Sequence, residues 1–423
     1  DKTLLTDGTL GLSAARVNNA GQIQGTDIAL ISDSVDNSGR IQGNNDLAFT
    51  GNLTNRAAGI VLSQNTLNLT TPNLVNYGLI QGGGTTRIDA SASARNDGKI
   101  LSGGELTFNT ASLTNNNWLQ ATSVLLNAAA IDNSGTVFST SNLAIHADRI
   151  DHRAAGKLYS GGNLLLTSGV FEQLGQVVAL GNLTLKLTGA FTGKNVLAAG
   201  NVLDITSNGA INNQSVMQGQ AVNLTAGTTL TNNGQITTGS GASILSAGSI
   251  SMSTTGTLQA GGDVVLNSRE NITVAGFIGT AGSLTLNAAG SILNTALLYA
   301  GNNMYLLANT IRNNHGDILA GNSLWMQRDM AGNANAEVVN TSGNIETVNG
   351  DITINTGHLV NEREGLVAHV TEETDLAGQY SWLTSIDADV PLSYLDSINY
   401  DYGYYRADTG CGNGCAGAYW SRP

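Results

Sequence analysis

Proline is nearly missing from this sequence, with 3 in 423 residues, and cysteine is scarcer still, with 2. Only 12% of residues are charged, against roughly 25% in an ordinary globular chain. No stretch approaches the roughly 20 consecutive apolar residues of a membrane-spanning helix, so the chain reads as non-transmembrane. Intrinsic disorder is excluded, because it needs high charge and little apolar content, and 41% of this chain is apolar. Collagen is excluded by the lack of Pro and of a three-residue Gly period. A net charge of −13 argues against nucleic acid, whose phosphates require clustered Lys and Arg. What the chain has instead is 53 Gly and 48 Asn, poor residues for helix interiors.

Those residues recur in a phrase: VNNAGQIQGTDIAL (17–30), VDNSGRIQGNNDLAF (35–49), LVNYGLIQGGGTTRI (74–88), and on to VVNTSGNIETVNGDITI (338–354). Each copy has an aliphatic residue, a polar residue, Asn, two or three small residues, an aliphatic, a Gly-containing turn and a Leu-x-Leu run. The Asn falls at 19, 37, 55, 76, 96, 115 and 133, in steps of 18 to 21. It returns at 213, 232, 294 and 313, and Asn19 to Asn361 is 342 residues, or 18 steps of 19.

A period of this length with two or three alternating runs of 3 to 5 residues is too short for a sandwich and lacks the helices of βαβ units. It predicts an all-β fold, a right-handed parallel β-helix of about 18–19 rungs spanning 1–361, roughly 85–90 Å long at ~4.8 Å per rung. Leu, Ile and Val would line its core. Asn19, Asn37, Asn55, Asn76, Asn96, Asn115, Asn133, Asn213, Asn232, Asn294 and Asn313 would form a structural amide ladder, as stacked amides do in cross-β structures. Gly would supply positive φ at the corners, and Pro would delete a ladder donor in each rung. Residues 1–16 already read as a rung and no charged-then-apolar leader occurs. The sequence is therefore expected to begin inside a longer rod, with a cap upstream.

From residue 362 the pattern stops. Residues 362–423 hold 7 of the 11 Tyr, 2 of the 4 Trp and both Cys, with 10 acids against 3 Arg. Tyr and Trp offer large rigid contact area with a polar handle, so Tyr380, Trp382, Tyr394, Tyr400, Asp401, Tyr402, Tyr404, Tyr405, Tyr419 and Trp420 are receptor-binding candidates. The competing reading is a small aromatic core or an end cap. Cys411 and Cys415 enclose Gly-Asn-Gly, a spacing that allows a small disulfide loop; a metal pair or free thiols are the alternatives, and without a second Cys or His pair the metal claim is weak. A disulfide would imply an oxidising compartment.

β-Helices also carry polysaccharide lyases and hydrolases, which need clustered carboxylates along one face. The tightest cluster here is Asp148, Arg149, Asp151, His152 and Arg153, in which His152 occupies the Asn slot. His146, His315, His358 and His369 fall in separate repeats. No metal, cofactor or catalytic motif is expected, and nothing in the residues requires an enzyme.

The phrase aliphatic-x-Asn-x-Gly-x-Ile-x-x-Gly-x-x-Leu-x-Leu resembles the filamentous haemagglutinin repeat of bacterial exoproteins exported by two-partner secretion. The junction NTSGNIETVNGDITINTGHLVNEREGL (340–366), followed by a Tyr-rich segment, is similar to that of contact-dependent growth inhibition effectors of the CdiA type. The resemblance implies a secreted filament on the surface of a Gram-negative bacterium, exported by a partner transporter. Its repeat stalk would present a tip to an outer-membrane β-barrel receptor on a neighbouring cell, for toxin delivery. It also implies that residues 362–423 are only the start of a receptor-binding region. The other readings are a haemagglutinin-type adhesin for glycans or host cells and a polysaccharide-degrading β-helix.

Overall fold

A computed structural model describes residues 2–365, 401–407 and 415–421. The chain divides into two compact units, Asp1–Glu364 and Gly365–Pro423. The first unit is a parallel β-solenoid in which every coil lays its strands on those of the coil before. One sheet, 18 strands wide, is built from short strands of three or four residues, from Thr3–Leu5 through Arg40–Gly43 and Lys99–Ser102 to Asn344–Thr347. The opposing surface begins as long strands, among them Asp27–Asn37, Thr86–Asn96 and Ser123–Asn133. After Leu164–Gln173 it divides, and each later coil lays down two separate strands, the first pair being Leu183–Leu187 and Phe191–Gly193.

Alternation decides what faces inward. In the short strands the second residue is buried: Ile41 and Leu158 are 2% exposed, and Ile80, Ile100 and Leu119 are 0%. In Asp27–Asn37 the buried residues are Ile28, Leu30 and Ser32, then Val35 and Asn37. The three-residue step from Ser32 to Val35 breaks the alternation, and the pairing with the next coil slips between Ile31 and Ser34. The same slip recurs between Thr50 and Leu53 and between Ala90 and Ser93. Each slip is a β-bulge that bends the strand and turns the following residues back toward the interior. The sequence predicts separate short runs, but in the first nine coils the strand carries on round the corner without interruption. Pro72 sits at one of these bulges, unpaired between Thr71↔Ala90 and Asn73↔Ser93, so its missing N–H breaks no ladder bond.

The bend leaves an open groove of about 930 Å³ along the first six coils, with Ala14, Ile31, Gly51, Pro72 and Asn109 among its lining. The carboxylates in that lining are Asp33 and Asp89. They stand three coils, roughly 14 Å, apart, beyond the ~5–9.5 Å separation of paired glycosidase carboxylates.

Glycine's role at the corners differs from the expectation. Among the described glycines only Gly51, Gly332 and Gly365 have positive φ, at 129°, 82° and 75°. The turn glycines matter because successive coils touch there. A Cβ on Gly39 would lie 2.0 Å from the Gly21 carbonyl oxygen, and one on Gly98 would lie 2.1 Å from that of Gly78. The side chain is excluded by the backbone of the coil below, not by the torsion angle.

The short-strand sheet has 18 strands, within the expected 18–19 rungs, but the number of steps along the amide slot differs. Counting one slot per coil gives 17 steps from Asn19 to Asn361, not 18, because Asn313 is followed by Asn340 at a spacing of 27 residues. The extra residues form a loop, Arg328–Ala336, between strands Leu324–Gln327 and Glu337–Thr341.

Candidate functional site

The amide column is the most regular chemistry in the solenoid. Each Asn closes a wide-surface strand just before the turn, where one inward-pointing side chain per coil lies ~4.8 Å from its equivalents. Asn19 Nδ2 donates to Asn37 Oδ1 at 2.8 Å, Asn37 to Asn55 at 2.8 Å, Asn55 to Asn76 at 2.8 Å and Asn76 to Asn96 at 2.8 Å. Asn96 continues to Asn115 at 2.8 Å, and Asn115 to Asn133 at 2.7 Å. The second Nδ2 hydrogen goes to backbone: Asn96 to Trp118 O at 3.2 Å, and Asn133 to Gly135 O at 3.1 Å. Inside the core an unmade bond costs the full desolvation of the group. Leu offers no hydrogen bond and Asp no donor, whereas a carboxamide meets both faces of the slot.

Where the Asn spacing drifts, the structure shows what fills the slot. His152 pairs in register with Asn133 and then with Gln173, and Gly193 follows. Asn213 donates to Asn232 at 2.8 Å, after which Met252 and Val274 interrupt the column. Asn294, Asn313, Asn340 and Asn361 resume it at 2.9, 2.8 and 2.9 Å. Asn340 and Gln173 were not singled out from sequence. The first is hidden by the 27-residue coil, the second by a longer side chain that turns its amide to backbone, donating to Gly175 O at 2.7 Å.

His152 is fully buried. Its Nδ1 lies 3.1 Å from Asn133 Nδ2, which must donate, so the ring proton sits on Nε2 and donates to Gln176 O at 3.0 Å. The imidazole stacks on Phe171 at 6.4 Å, and Phe171 on Phe191 at 5.8 Å. Burial pushes its pKa below the ordinary value. The unfolded chain therefore takes up a proton near pH 6.5 that the folded chain refuses, and stability falls as pH drops below about 6.5. Melting midpoints between about pH 7.5 and 5.5 should decline for this chain and stay level for His152→Asn, which restores the column. Carboxylates titrate lower. Equal slopes in both proteins would refute this assignment.

The polar cluster around His152 is divided between inside and outside. Arg149 pairs with Asp151 at 2.7 Å and Arg153 with Asp132 at 2.8 Å, all on the surface, while the imidazole points into the core. The Arg153 guanidinium holds the Asp132 carboxyl below its ordinary pKa. Asp148 lines a separate small hollow with His146. His315 lies 3.9 Å from Glu364 and His358 3.2 Å from Glu337, each exposed and in its own coil. His369 lies outside the described residues.

In the second unit, strands Asp401–Ala407 and Cys415–Ser421 pair antiparallel, with Tyr402 opposite Trp420, Gly403 opposite Tyr419, Tyr404 opposite Ala418 and Tyr405 opposite Gly417. Asp401 stands opposite Ser421, and Cys415 opposite Ala407. The pairing thus brings Asp401, Tyr402, Tyr404, Tyr405, Tyr419 and Trp420 onto one hairpin. Tyr380, Trp382, Tyr394, Tyr400 and Cys411 lie outside the described residues.

The haemagglutinin repeat family matches residues 1–42, 40–110, 81–135, 112–173, 167–234, 214–276, 271–324 and 331–377. The chain is similar to a tRNA nuclease CdiA of Escherichia coli O6:K15:H31 (strain 536 / UPEC), with 43% identity over 98% of this chain and 14% of the relative. It is 50% identical to a tRNA nuclease CdiA of Escherichia coli (strain STEC_O31) over 50% of this chain and 6% of the relative. A deoxyribonuclease CdiA of Dickeya dadantii (strain 3937) is 36% identical over 65% of this chain and 8% of the relative. The chain thus spans about a seventh or less of the length of these relatives. No solved structure matches it. With the repeat matched from residue 1 to 377 and its strands stacked coil on coil, this chain belongs to the haemagglutinin repeat family.

Proposed function

We propose that the chain is the repeat stalk, with the start of the receptor-binding region, of a secreted contact-dependent growth inhibition protein on a Gram-negative cell surface. The observation that carries this is similarity to a CdiA protein over 98% of the chain, repeats and tail together. The solenoid suits a stalk: each coil's strands pair only with those of its neighbours, and length is gained by adding coils. Export would use a two-partner secretion transporter. The nuclease activity named in the relatives is assigned to a part of the protein outside this chain.

In this reading residues 1–361 give reach and residues 362–423 begin the contact with an outer-membrane β-barrel of the neighbouring cell, through the aromatic residues named above. Cys411 and Cys415 close a disulfide loop there. Capture of a protein from outer-membrane extracts by the whole chain, and not by the chain lacking residues 367–423, is the expected result. Equal capture by both would place the contact on the stalk. Alkylation of the two cysteines only after reduction is expected for the disulfide; labelling without reductant would rule it out.

A further inference from the structure

We infer that the outer face of the short-strand sheet, from Lys99 to Tyr159, is a docking strip for a sparsely charged acidic polysaccharide. Nothing in this inference depends on the receptor reading above. The middle residues of these strands are buried, so the first and third point outward. The third position is polar in many coils, as at Gln24, Gln42, Gln81, Gln120, Gln218 and Gln259. In two consecutive coils it is Phe138 and Tyr159, paired in register. Trp118, at the first position of the preceding coil, completes a row of three rings. Its Nε1–H donates to Gln120 Oε1 at 2.8 Å, which holds the indole in place.

The spacing of these rings differs from ordinary ring-on-ring packing. Trp118 and Phe138 are 6.5 Å apart with planes tilted by 36°, and Phe138 and Tyr159 are 6.4 Å apart with a tilt of 35°. The pair Tyr305 and Trp325, elsewhere on the solenoid, lies at 4.7 Å and 7°, so each covers the other's face. At the larger spacing and tilt, part of each ring face of the row remains open, and Tyr159 is 37% exposed. An open aromatic face is electron-rich and receives C–H groups such as those on the flat side of a pyranose.

Charge selects among polymers. Lys99 is in register with Trp118, and Lys157 stands two residues before Tyr159 on the same strand. Among the described residues the one lysine in an ion pair is Lys194, with Glu172 at 3.2 Å, so Lys99 and Lys157 are free. The nine short strands from Arg40–Gly43 to Leu197–Ala199 contain no acid. The strip is therefore cationic on a chain of net charge −13. Its two lysines are three coils, roughly 14 Å, apart. That matches a chain with one acidic group every few sugars. A nucleic acid, with a phosphate at every nucleotide, would meet repulsion from the rest of the acidic solenoid.

Native gel electrophoresis of the whole chain through gels containing gellan, whose sugars carry about one glucuronate in four, or dextran, dextran sulfate or single-stranded DNA tests this, with mobility referred to a polymer-free gel. Gellan should retard the protein, and uncharged dextran and densely charged dextran sulfate should each retard it less. Trp118→Ala/Tyr159→Ala and Lys99→Gln/Lys157→Gln should each raise the gellan concentration for half retardation by roughly tenfold. Tyr299→Ala, on the same sheet, should leave it unchanged. The lysine pair is on the surface, so its variant keeps the fold, which a melting profile checks. No retardation by gellan would overturn the inference. So would retardation lost with the lysines but kept without the rings, which is simple ion exchange, or retardation by dextran sulfate or single-stranded DNA equal to that by gellan.

Discussion

Asn96→Asp should cost the solenoid roughly 3–5 kcal/mol, the range for leaving a buried charge without its partner, although the exchange alters one atom. Asn96 is 1% exposed, and its Nδ2 serves Asn115 Oδ1 and Trp118 O at once. A carboxylate oxygen in that place has no hydrogen to give and faces two acceptors in a buried site. Protonation would restore one donor, so the variant should recover stability as pH falls, opposite to the His152 effect. Asn302 is exposed, and Asn302→Ala should change stability by less than about 0.5 kcal/mol. Because repeat arrays unfold in segments, amide hydrogen exchange is the suitable probe. Protection should be lost around residues 76–118 and kept around 284–320. Protection kept throughout would show that the column contributes little.

The second large effect concerns a turn glycine. Gly98→Ala places a methyl 2.1 Å from the Gly78 carbonyl oxygen and 2.6 Å from the Tyr77 carbonyl carbon. Both are backbone atoms, held by the Lys99 N to Gly78 O hydrogen bond of 2.8 Å. Overpacking against side chains costs about 1–3 kcal/mol, and backbone yields less readily, so the loss should reach or exceed the top of that range. Gly11→Ala meets nothing within 4 Å and should leave the melting midpoint unchanged. If the two variants melt alike, close coil contact is not what requires glycine at the turns.

How much of this could be read in advance depended on how demanding each position is. The amide slot shows in sequence because a carboxamide satisfies both its faces, so Asn recurs at 19, 37, 55, 76, 96, 115 and 133. Where the slot tolerates a histidine stacked on Phe171, or an apolar Met252, the spacing loses its marker while the coil continues. The loop Arg328–Ala336 accounts for the miscounted step. The turn glycines were visible, but their reason was not, since the obstacle is a carbonyl of another coil some 20 residues away. The ring row was missed for the same kind of reason. Trp118 stands at the first position of its strand and Phe138 and Tyr159 at the third of theirs, and only stacking brings the first-position ring beside the other two. Of the tail's aromatics, the alternation in YDYGYY marked candidates for receptor contact but gave no pairing, which comes from the strand Cys415–Ser421.

If coils are interchangeable spacers, whole ones can be removed. Deleting residues 38–115 joins Asn37 to Asn116, keeps the slot-to-turn spacing, and removes four short strands with their four long partners. Small-angle X-ray scattering should show a folded particle whose longest dimension is shorter by about 19 Å, four coils at ~4.8 Å each. Loss of the folded scattering profile, or an unchanged longest dimension, would contradict a stalk built of stacked, equivalent coils.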